Sequence, residues 1–154
     1  MTDGEVCGAS FSEFLAGIGW TPGRQVGVGR IVSEWCDRGY VPSAAATDFV
    51  GGFDGISFEY LKHVVVGGFD ECVLDAVRAT GAVSPTRLHG YEGRVGQRLA
   101  PVGLAASNHV ILMVAVSGQI FGAYDDFLAL YGENGKVALW KIHHRVEVAH
   151  LPMA

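Results

Sequence analysis

Residues 99–124 read LAPVGLAASNHVILMVAVSGQIFGAY, and this stretch carries the strongest fold signal in the chain. Within it, Leu99 to Leu104 and Val110 to Val116 predict two strands, and the second is apolar throughout, as is typical of a strand covered on both faces. Ser117-Gly118 is a two-residue turn that leads into Gln119 to Tyr124. The stretch therefore predicts an antiparallel hairpin near the middle of a sheet.

Three helices are predicted ahead of this hairpin. Ser10 to Glu13 has the S-x-x-E form of a capping box, in which the two side chains satisfy free amides at a helix start. Gly19 supplies a left-handed stop for that helix. An apolar stripe from Val28 to Trp35 predicts a second helix, and Ser43 caps a third that runs to Val50.

The remaining elements complete an α+β fold. Ile56 to Tyr60 alternates apolar and polar residues, which predicts a strand with one face toward the core and the other toward water. Further elements are predicted in chain order as a short strand at His63 to Val66, helices at Asp70 to Arg78 and Phe127 to Tyr131, and a final helix from about Asn134 to Val148. N-terminal helices, a mainly antiparallel central sheet and a C-terminal helix are together typical of an α+β domain.

The composition predicts one small domain. Hydrophobic residues make up 49% and charged residues 18% of the 154, and the charged share lies below the roughly 25% of typical soluble domains. We expect residues 10–150 to form a single domain after a disordered or irregular stretch at 1–9. That stretch lacks the basic start and apolar run of a secretion signal, and Val110 to Val116 is far shorter than the about 20 residues that span a bilayer. We therefore expect a cytoplasmic protein that does not enter a membrane.

The charge balance argues against a nucleic-acid partner. Eleven basic residues against 16 acidic ones give a net charge of -5, which repels a phosphate backbone unless the basic residues cluster. Arg87, Arg94 and Arg98 are the nearest approach to a cluster, and three arginines over twelve residues are more often a solvated face.

Residues capable of catalysis are present but lack a recognised arrangement. The three cysteines are widely spaced, and the chain has no G-x-S-x-G signature. His143, His144, His150 and His109 offer imidazole ligands, yet neighbours on a helix point about 100 degrees apart. Asp125-Asp126 could bind a cation or serve as acid and base, although capping the following segment is the simpler interpretation. We expect no catalytic residues, no metal and no cofactor.

Four stretches of the chain resemble motifs of a known family. They are Phe14-Leu15 with Gly19 to Arg24, similar to an FL…GWxPGR opening; Asp48 to Phe53, similar to EFLxxFGGL; Leu99 to Gly103, similar to an LxPVG strand; and Gly118 to Asp125, similar to a GxVYGxYD hairpin. Their order and spacing, from about Phe11 to Leu139, resemble the third subgroup of the SUKH superfamily of bacterial immunity proteins. The sequence departs from that pattern at Gly27 and Gly29 and after Lys141.

The resemblance implies a SUKH/Syd-like fold and an immunity protein of a bacterial polymorphic toxin system. Such a protein binds a cognate toxin, commonly a nuclease or deaminase, and blocks it inside the producing cell without catalytic residues of its own. An acidic surface suits a partner that is basic because it holds nucleic acid, since complementary charge speeds encounter.

Five residues are the predicted contacts for that toxin. Trp20 and Arg24 are chosen because aromatic and arginine anchors dominate interface energetics, followed by Tyr124, Asp125 and Asp126. The same motifs would also specify the fold whatever it bound, and that interpretation is favoured for them. Two other functions stay open, a metal-dependent enzyme built on the histidines and a general protein-binding regulator or scaffold.

Overall fold

The computed structural model describes residues 9–62 and 67–152, in which six helices and seven strands form an α+β fold. The helices are α1 (Ala9–Gly17), α2 (Gly29–Asp37), α3 (Ala44–Phe53), α4 (Ala76–Gly81), α5 (Pro85–Val95) and α6 (Gly135–His143). The strands are β1 (Ser57–Leu61), β2 (Phe69–Val73), β3 (Leu99–Ala105), β4 (Val110–Ala115), β5 (Ile120–Tyr124), β6 (Phe127–Gly132) and β7 (Ala149–His150). The strand predicted at His63 to Val66 lies outside the described residues, as does the N-terminal stretch predicted to be disordered or irregular, as far as residue 8.

The ends of the predicted N-terminal helices follow local sequence signals. Gly19 has a φ of 96°, and the amide of Trp20 donates to the carbonyl of Leu15, which is the hydrogen bond of a Schellman ending. Ser43 caps α3, since its hydroxyl accepts from the Ala46 amide at 3.1 Å. These predictions are confirmed. The capping box is not, because α1 already begins at Ala9 and Ser10 lies inside the helix.

The sheet is an antiparallel meander in which the spatial order of the seven strands equals their order in the chain. The predicted central hairpin is confirmed as β3, β4 and β5, and every residue of β3 and β4 is buried. The run Ile111 to Met113 is therefore core inside this chain. Trp35 of α2 reaches the same region, and its Nε1 donates to the carbonyl of Pro101 at 3.1 Å.

Helix α6 contacts both β6 and β1, which are five strands apart. A flat sheet would separate those strands by about 24 Å, whereas a helix with its side chains is about 10–12 Å across. The sheet therefore curves around α6. Trp140 of this helix meets Phe14 of α1 edge to face at 5.8 Å, and Phe14 in turn meets Phe58 of β1 at 5.8 Å.

The helix predicted from Asp70 to Arg78 is wrong over its first half. Residues Phe69–Val73 form β2, paired with β1 along its whole length, and α4 starts only at Ala76, behind an N-cap at Asp75. The acidic pair Asp70 and Glu71 lies in a strand. Strand pairing with β1 prevails over the helical preference of the local sequence.

The helix predicted at Phe127 to Tyr131 is also wrong, because this segment is β6, paired with β5 from Tyr124 to Ile120. Asp125 and Asp126 form a tight hairpin turn, with Asp125 at a left-handed φ of 46°, and do not cap a helix.

Two further helices differ from expectation. Helix α5 was not predicted, although Ser84 caps it, Pro85 opens it and the left-handed Gly96 closes it. The final helix does begin after an Asn134 cap, but it ends at His143 and not at Val148.

Candidate binding surface

An antiparallel meander places its turns alternately at two ends of the sheet, since each strand reverses the direction of the one before it. The end of β1 at Leu61, the start of β2 at Phe69, and the β3–β4 and β5–β6 turns therefore share one end, which we call the hairpin end. The β4–β5 turn at Ser117-Gly118 and the helical connections lie at the other end.

Trp20 and Arg24 lie away from the hairpin end and stabilise the fold. The Arg24 guanidinium donates to the carbonyls of Gly52 at 2.8 Å and Asp54 at 2.7 Å, which satisfies free carbonyls where α3 ends. The Trp20 ring stacks on Phe53 at 5.5 Å between centroids. Two of the four family-like stretches thus pack directly on each other.

Trp20 keeps part of its surface exposed, and the ammonium of Lys136 lies 4.4 Å from its ring centroid in a cation–π contact. Phe53 and Lys136 line a hollow together with Gly118 of the β4–β5 turn. This locates the Trp20 side of the molecule at the end of the sheet opposite the hairpin end.

Tyr124 ends β5, and Asp125-Asp126 form the β5–β6 turn at the hairpin end. The hydroxyl of Tyr91 in α5 donates to the Asp125 carbonyl at 2.8 Å, and Arg94 donates to the Asp126 carbonyl at 2.9 Å. The backbone of the turn is therefore fixed by α5, while the Asp125 side chain is 89% exposed and has Arg87 only at 3.9 Å.

Tyr124 adds an aromatic surface to this acidic turn. Its side chain is 44% exposed and stacks on Phe127 at 4.8 Å, and Phe127 also meets His150 of β7 edge to face at 4.9 Å. The five predicted contacts are thus not brought together: three lie at the hairpin end and two at the opposite end of β5.

The β3–β4 turn next to this surface is held in an unusual backbone conformation. Ala106, Ser107 and Asn108 have successive φ values of 49°, 53° and 80°. Ser107 Oγ accepts from the Glu71 amide at 3.2 Å and donates to Asp70 Oδ1 at 2.9 Å. A left-handed run of this kind persists only where surrounding contacts impose it, and these contacts also tie β2 to the turn.

Sequence reasoning missed two exposed apolar residues at the hairpin end. The strand predicted at Ile56 to Tyr60 does expose Ser57 and Glu59, as expected. Leu61 continues the same face and is 53% exposed, and its cross-strand partner Phe69 is 60% exposed. The sequence does hold a sign of this for Leu61, because alternate residues of a strand share a face and Leu61 follows Ser57 and Glu59 at that spacing. It holds none for Phe69, which is in no predicted strand.

The histidines of the C-terminal region are packed among aromatic rings. His143 lies 5.0 Å from Phe14 between ring centroids, and burial lowers its pKa from the ordinary value, with a smaller lowering from His144. His144 stacks on Trp140 at 3.9 Å, while His150 lies on β7. Across residues 9–62 and 67–152, no three His, Cys, Asp or Glu side chains are grouped to hold a metal ion.

The three arginines considered as a basic cluster have separate surroundings. Arg94 donates to the carbonyls of Asp126, Leu151 and Pro152, and Arg87 approaches Asp125, while Arg98 is exposed. Within the part of the chain that the structure describes, no helix is long and apolar enough to cross a bilayer.

The fold and the surface define an α+β domain with an all-antiparallel sheet, which presents an acidic turn with an exposed aromatic ring at one end. The chain belongs to the SUKH-3 immunity protein family, whose model matches residues 9–143. This confirms the resemblance seen in the sequence. Immunity proteins of this family are generally non-enzymatic, and the family implies binding of a cognate toxin. The chain has no significant match among curated proteins or solved structures.

Proposed function

We propose that this protein binds and neutralises a cognate bacterial polymorphic toxin, a nuclease or deaminase, in the cytoplasm of the producing cell. It acts without catalysis, through a single domain of residues 10–150. Membership of the SUKH-3 immunity protein family over residues 9–143 is the observation that carries this proposal.

The β5–β6 turn is our candidate for part of the toxin interface. Tyr124 offers a large, half-exposed aromatic side chain with few rotatable bonds, and such side chains recur among the residues that dominate interface energetics. The carboxylates of Asp125 and Asp126 project from a backbone that Tyr91 and Arg94 already hold in place. Little conformational freedom is then lost on binding, which favours affinity.

We assign Trp20 and Arg24 a supporting role in this function. Arg24 already donates two hydrogen bonds to backbone carbonyls, so its recruitment by a partner would break contacts that stabilise α3. Trp20 is partly covered by Phe53 and Lys136. Both residues are better explained by the fold than by the interface.

Opposite charge on the two proteins would favour the proposed association. The chain has a net charge of -5, and a toxin that acts on nucleic acid or nucleotides presents a basic surface to its substrate. Opposite fields steer association and raise the association rate, with an effect that falls as salt rises. Occupation of that basic surface by this protein would exclude the substrate without chemistry.

The test is to co-express the chain with the C-terminal toxin domain encoded in the neighbouring gene, and to measure growth and complex formation. We expect restored growth and a stable complex. A variant with Tyr124→Ala, Asp125→Asn and Asp126→Asn keeps a residue tolerant of left-handed φ at position 125, and should weaken both. Glu13→Gln with Glu147→Gln, both at exposed positions, is the control that loses the same number of charges. A folded wild-type protein that gives neither complex nor rescue would favour a general protein-binding regulator instead.

A further inference from the structure

Among the residues that the structure describes, helices cover one face of the sheet over β3 and β4 but not over β1 and β2. Directly paired residues in an antiparallel sheet lie on the same face, so Leu104 shares a face with Ile111 on one side and with Val73 on the other. Leu104 and Ile111 are buried, and α4 and α5 contact β3. Further out on the same face, Phe69 of β2 and Leu61 of β1 are exposed. We call this part of β1 and β2 the outer face, formed by Glu59, Leu61, Phe69 and Glu71.

The opposite face of the same two strands is covered. Cys72 is buried, Phe58 packs against Phe14, and the Tyr60 hydroxyl accepts from the Ala106 amide at 2.8 Å. Within the described part of the chain, the strands thus have one covered face and one exposed face, and an exposed face of an antiparallel sheet is normally polar. Leu61 and Phe69, directly opposite each other, break that rule. Large apolar groups exposed side by side and rimmed by polar residues mark an interaction site.

The rim of this apolar pair is acidic. Glu59 and Glu71 are directly opposite each other on the outer face and both are exposed. Within the described residues, neither carboxylate has an ion pair or a side-chain hydrogen bond. Like charges directly opposite each other destabilise a strand pair. A partner that supplies cations would turn this unfavourable pair into a favourable contact.

A second copy of the chain does not fit this face. Two-fold pairing would bring both copies of Glu59 and Glu71 into one interface, between chains that each carry a net charge of -5. Like charges brought together across an interface oppose association. The occupant must therefore be basic, with an apolar site for Leu61 and Phe69.

The outer face is continuous with the β5–β6 turn. The β3–β4 turn lies between them: its Ser107 bonds to Asp70 and to the Glu71 backbone, and its Asn108 lines one depression with Tyr124 and Asp125. Four strand spacings of about 4.8 Å separate β1 from β5, or roughly 19 Å. A typical interface covers about 800 Å² on each partner, which is large enough to include both.

We propose that the outer face docks the basic surface of the cognate toxin domain, with Leu61 and Phe69 as its apolar anchor and Glu59 and Glu71 as its charged contacts. This proposal rests on the proposed function and locates its interface. The hairpin end as a whole, from β1 to the β5–β6 turn, is then the toxin-binding side of the protein.

Two double variants test the outer face against the toxin domain encoded in the neighbouring gene. Leu61→Thr with Phe69→Thr removes the apolar anchor but keeps residues that favour strands. Glu59→Gln with Glu71→Gln removes the charges and also relieves their repulsion, so it should fold at least as well as wild type. Val116→Thr, at a 54% exposed residue elsewhere, controls the first variant, and Glu13→Gln with Glu147→Gln controls the second.

The readouts are the dissociation constant, the association rate at two salt concentrations and growth rescue. We expect the threonine variant to lose about 30-fold or more in affinity, as for loss of an interface hot spot. The glutamine variant should associate several-fold more slowly and depend less on salt, while both controls stay within about two-fold of wild type.

The possible failures separate two conclusions. Wild-type binding with unchanged affinity in either double variant overturns the outer face as the docking site and leaves the proposed function intact. Absence of wild-type binding and rescue overturns the proposed function, and the outer face with it. A dimer of wild type in sedimentation that the threonine variant dissociates would assign the face to a second copy and overturn the proposal.

Discussion

The pairs β3–β4 and β1–β2 belong to one sheet but have opposite surroundings. Every residue of β3 and β4 is buried, whereas β1 and β2 are covered on one face and, among the described residues, exposed on the other. Both pairs are antiparallel and similarly short. The difference teaches that helical coverage, and not strand pairing, decides which part of this sheet is available to a partner.

The largest effect is expected when the same substitution, Leu→Ala, is made in a buried strand and in an exposed one. Leu112→Ala in β4 removes a side chain that is 1% exposed and should cost about 2–5 kcal/mol of unfolding free energy, because it leaves a cavity. Leu61→Ala in β1 should change stability by no more than about 0.5 kcal/mol. Urea denaturation of both variants measures this. Equal losses would mean that the outer face is covered in solution.

A second test separates the fold-stabilising end from the hairpin end. Arg24→Ala removes both hydrogen bonds to the carbonyls at the end of α3 and should cost about 1.5–3 kcal/mol, the range for hydrogen bonds to charged groups. Arg98→Ala, at an exposed arginine, is the control and should be nearly neutral. At temperatures below its unfolding midpoint, the Arg24→Ala variant should bind the toxin domain with the affinity of wild type. A selective loss of affinity with unchanged stability would restore Arg24 as an interface residue.

A smaller effect of opposite sign is expected on β2. Glu71→Gln relieves the like-charge pair with Glu59 and should stabilise the protein by about 0.2–1 kcal/mol at low salt. The gain should shrink at high salt as the repulsion is screened. Thermal unfolding at two salt concentrations measures it, with Glu13→Gln as the control. A variant less stable than wild type would show that Glu71 has a stabilising partner.

The smallest expected effect is a pH dependence on the covered side of β1. The pKa of His143 lies below its ordinary value near 6.5 because the ring is buried against aromatic side chains. The neutral form favours folding, so this contribution is complete above pH 6.5 and is lost as pH falls below it. Unfolding midpoints between pH 5 and 8 should show a decline on the acid side that is reduced in His143→Phe. An identical decline in that variant would assign it to other groups.

Much of the fold was predictable because its signals are local. The all-apolar strand is confirmed over Val110–Ala115, and so are the glycine stop at 19, the cap at Ser43 and the helix start near Asn134. Each of these signals depends on residues within a few positions of one another. The four family-like stretches also led to the correct family. Two of these stretches, those that contain Trp20 and Phe53, contact each other in the structure. Part of the family-like pattern therefore corresponds to a packing contact.

The candidate site was only partly predictable. Trp20 and Arg24 were predicted as contacts together with Tyr124 because of their residue types. In the structure, these two residues lie at one end of β5 and Tyr124 lies at the other. Asp70 and Phe127 were assigned to helices because their strand partners are set by pairing with other segments. Leu61 and Phe69 were not identified from the sequence, because they are exposed only where no helix of the described residues covers the sheet.

The sequence by itself determined the fold class, the central hairpin, some of the helix ends and the family, since periodicity, caps and glycine stops act over one or two turns of chain. Only the tertiary structure decided which strands the helices cover, that Glu59 meets Glu71, and that the turns at Ser107 and Asp125 share one end. Those relations depend on strand register and on the curvature of the sheet around α6, which bring together residues far apart in sequence. The proposed binding surface is a product of these long-range relations.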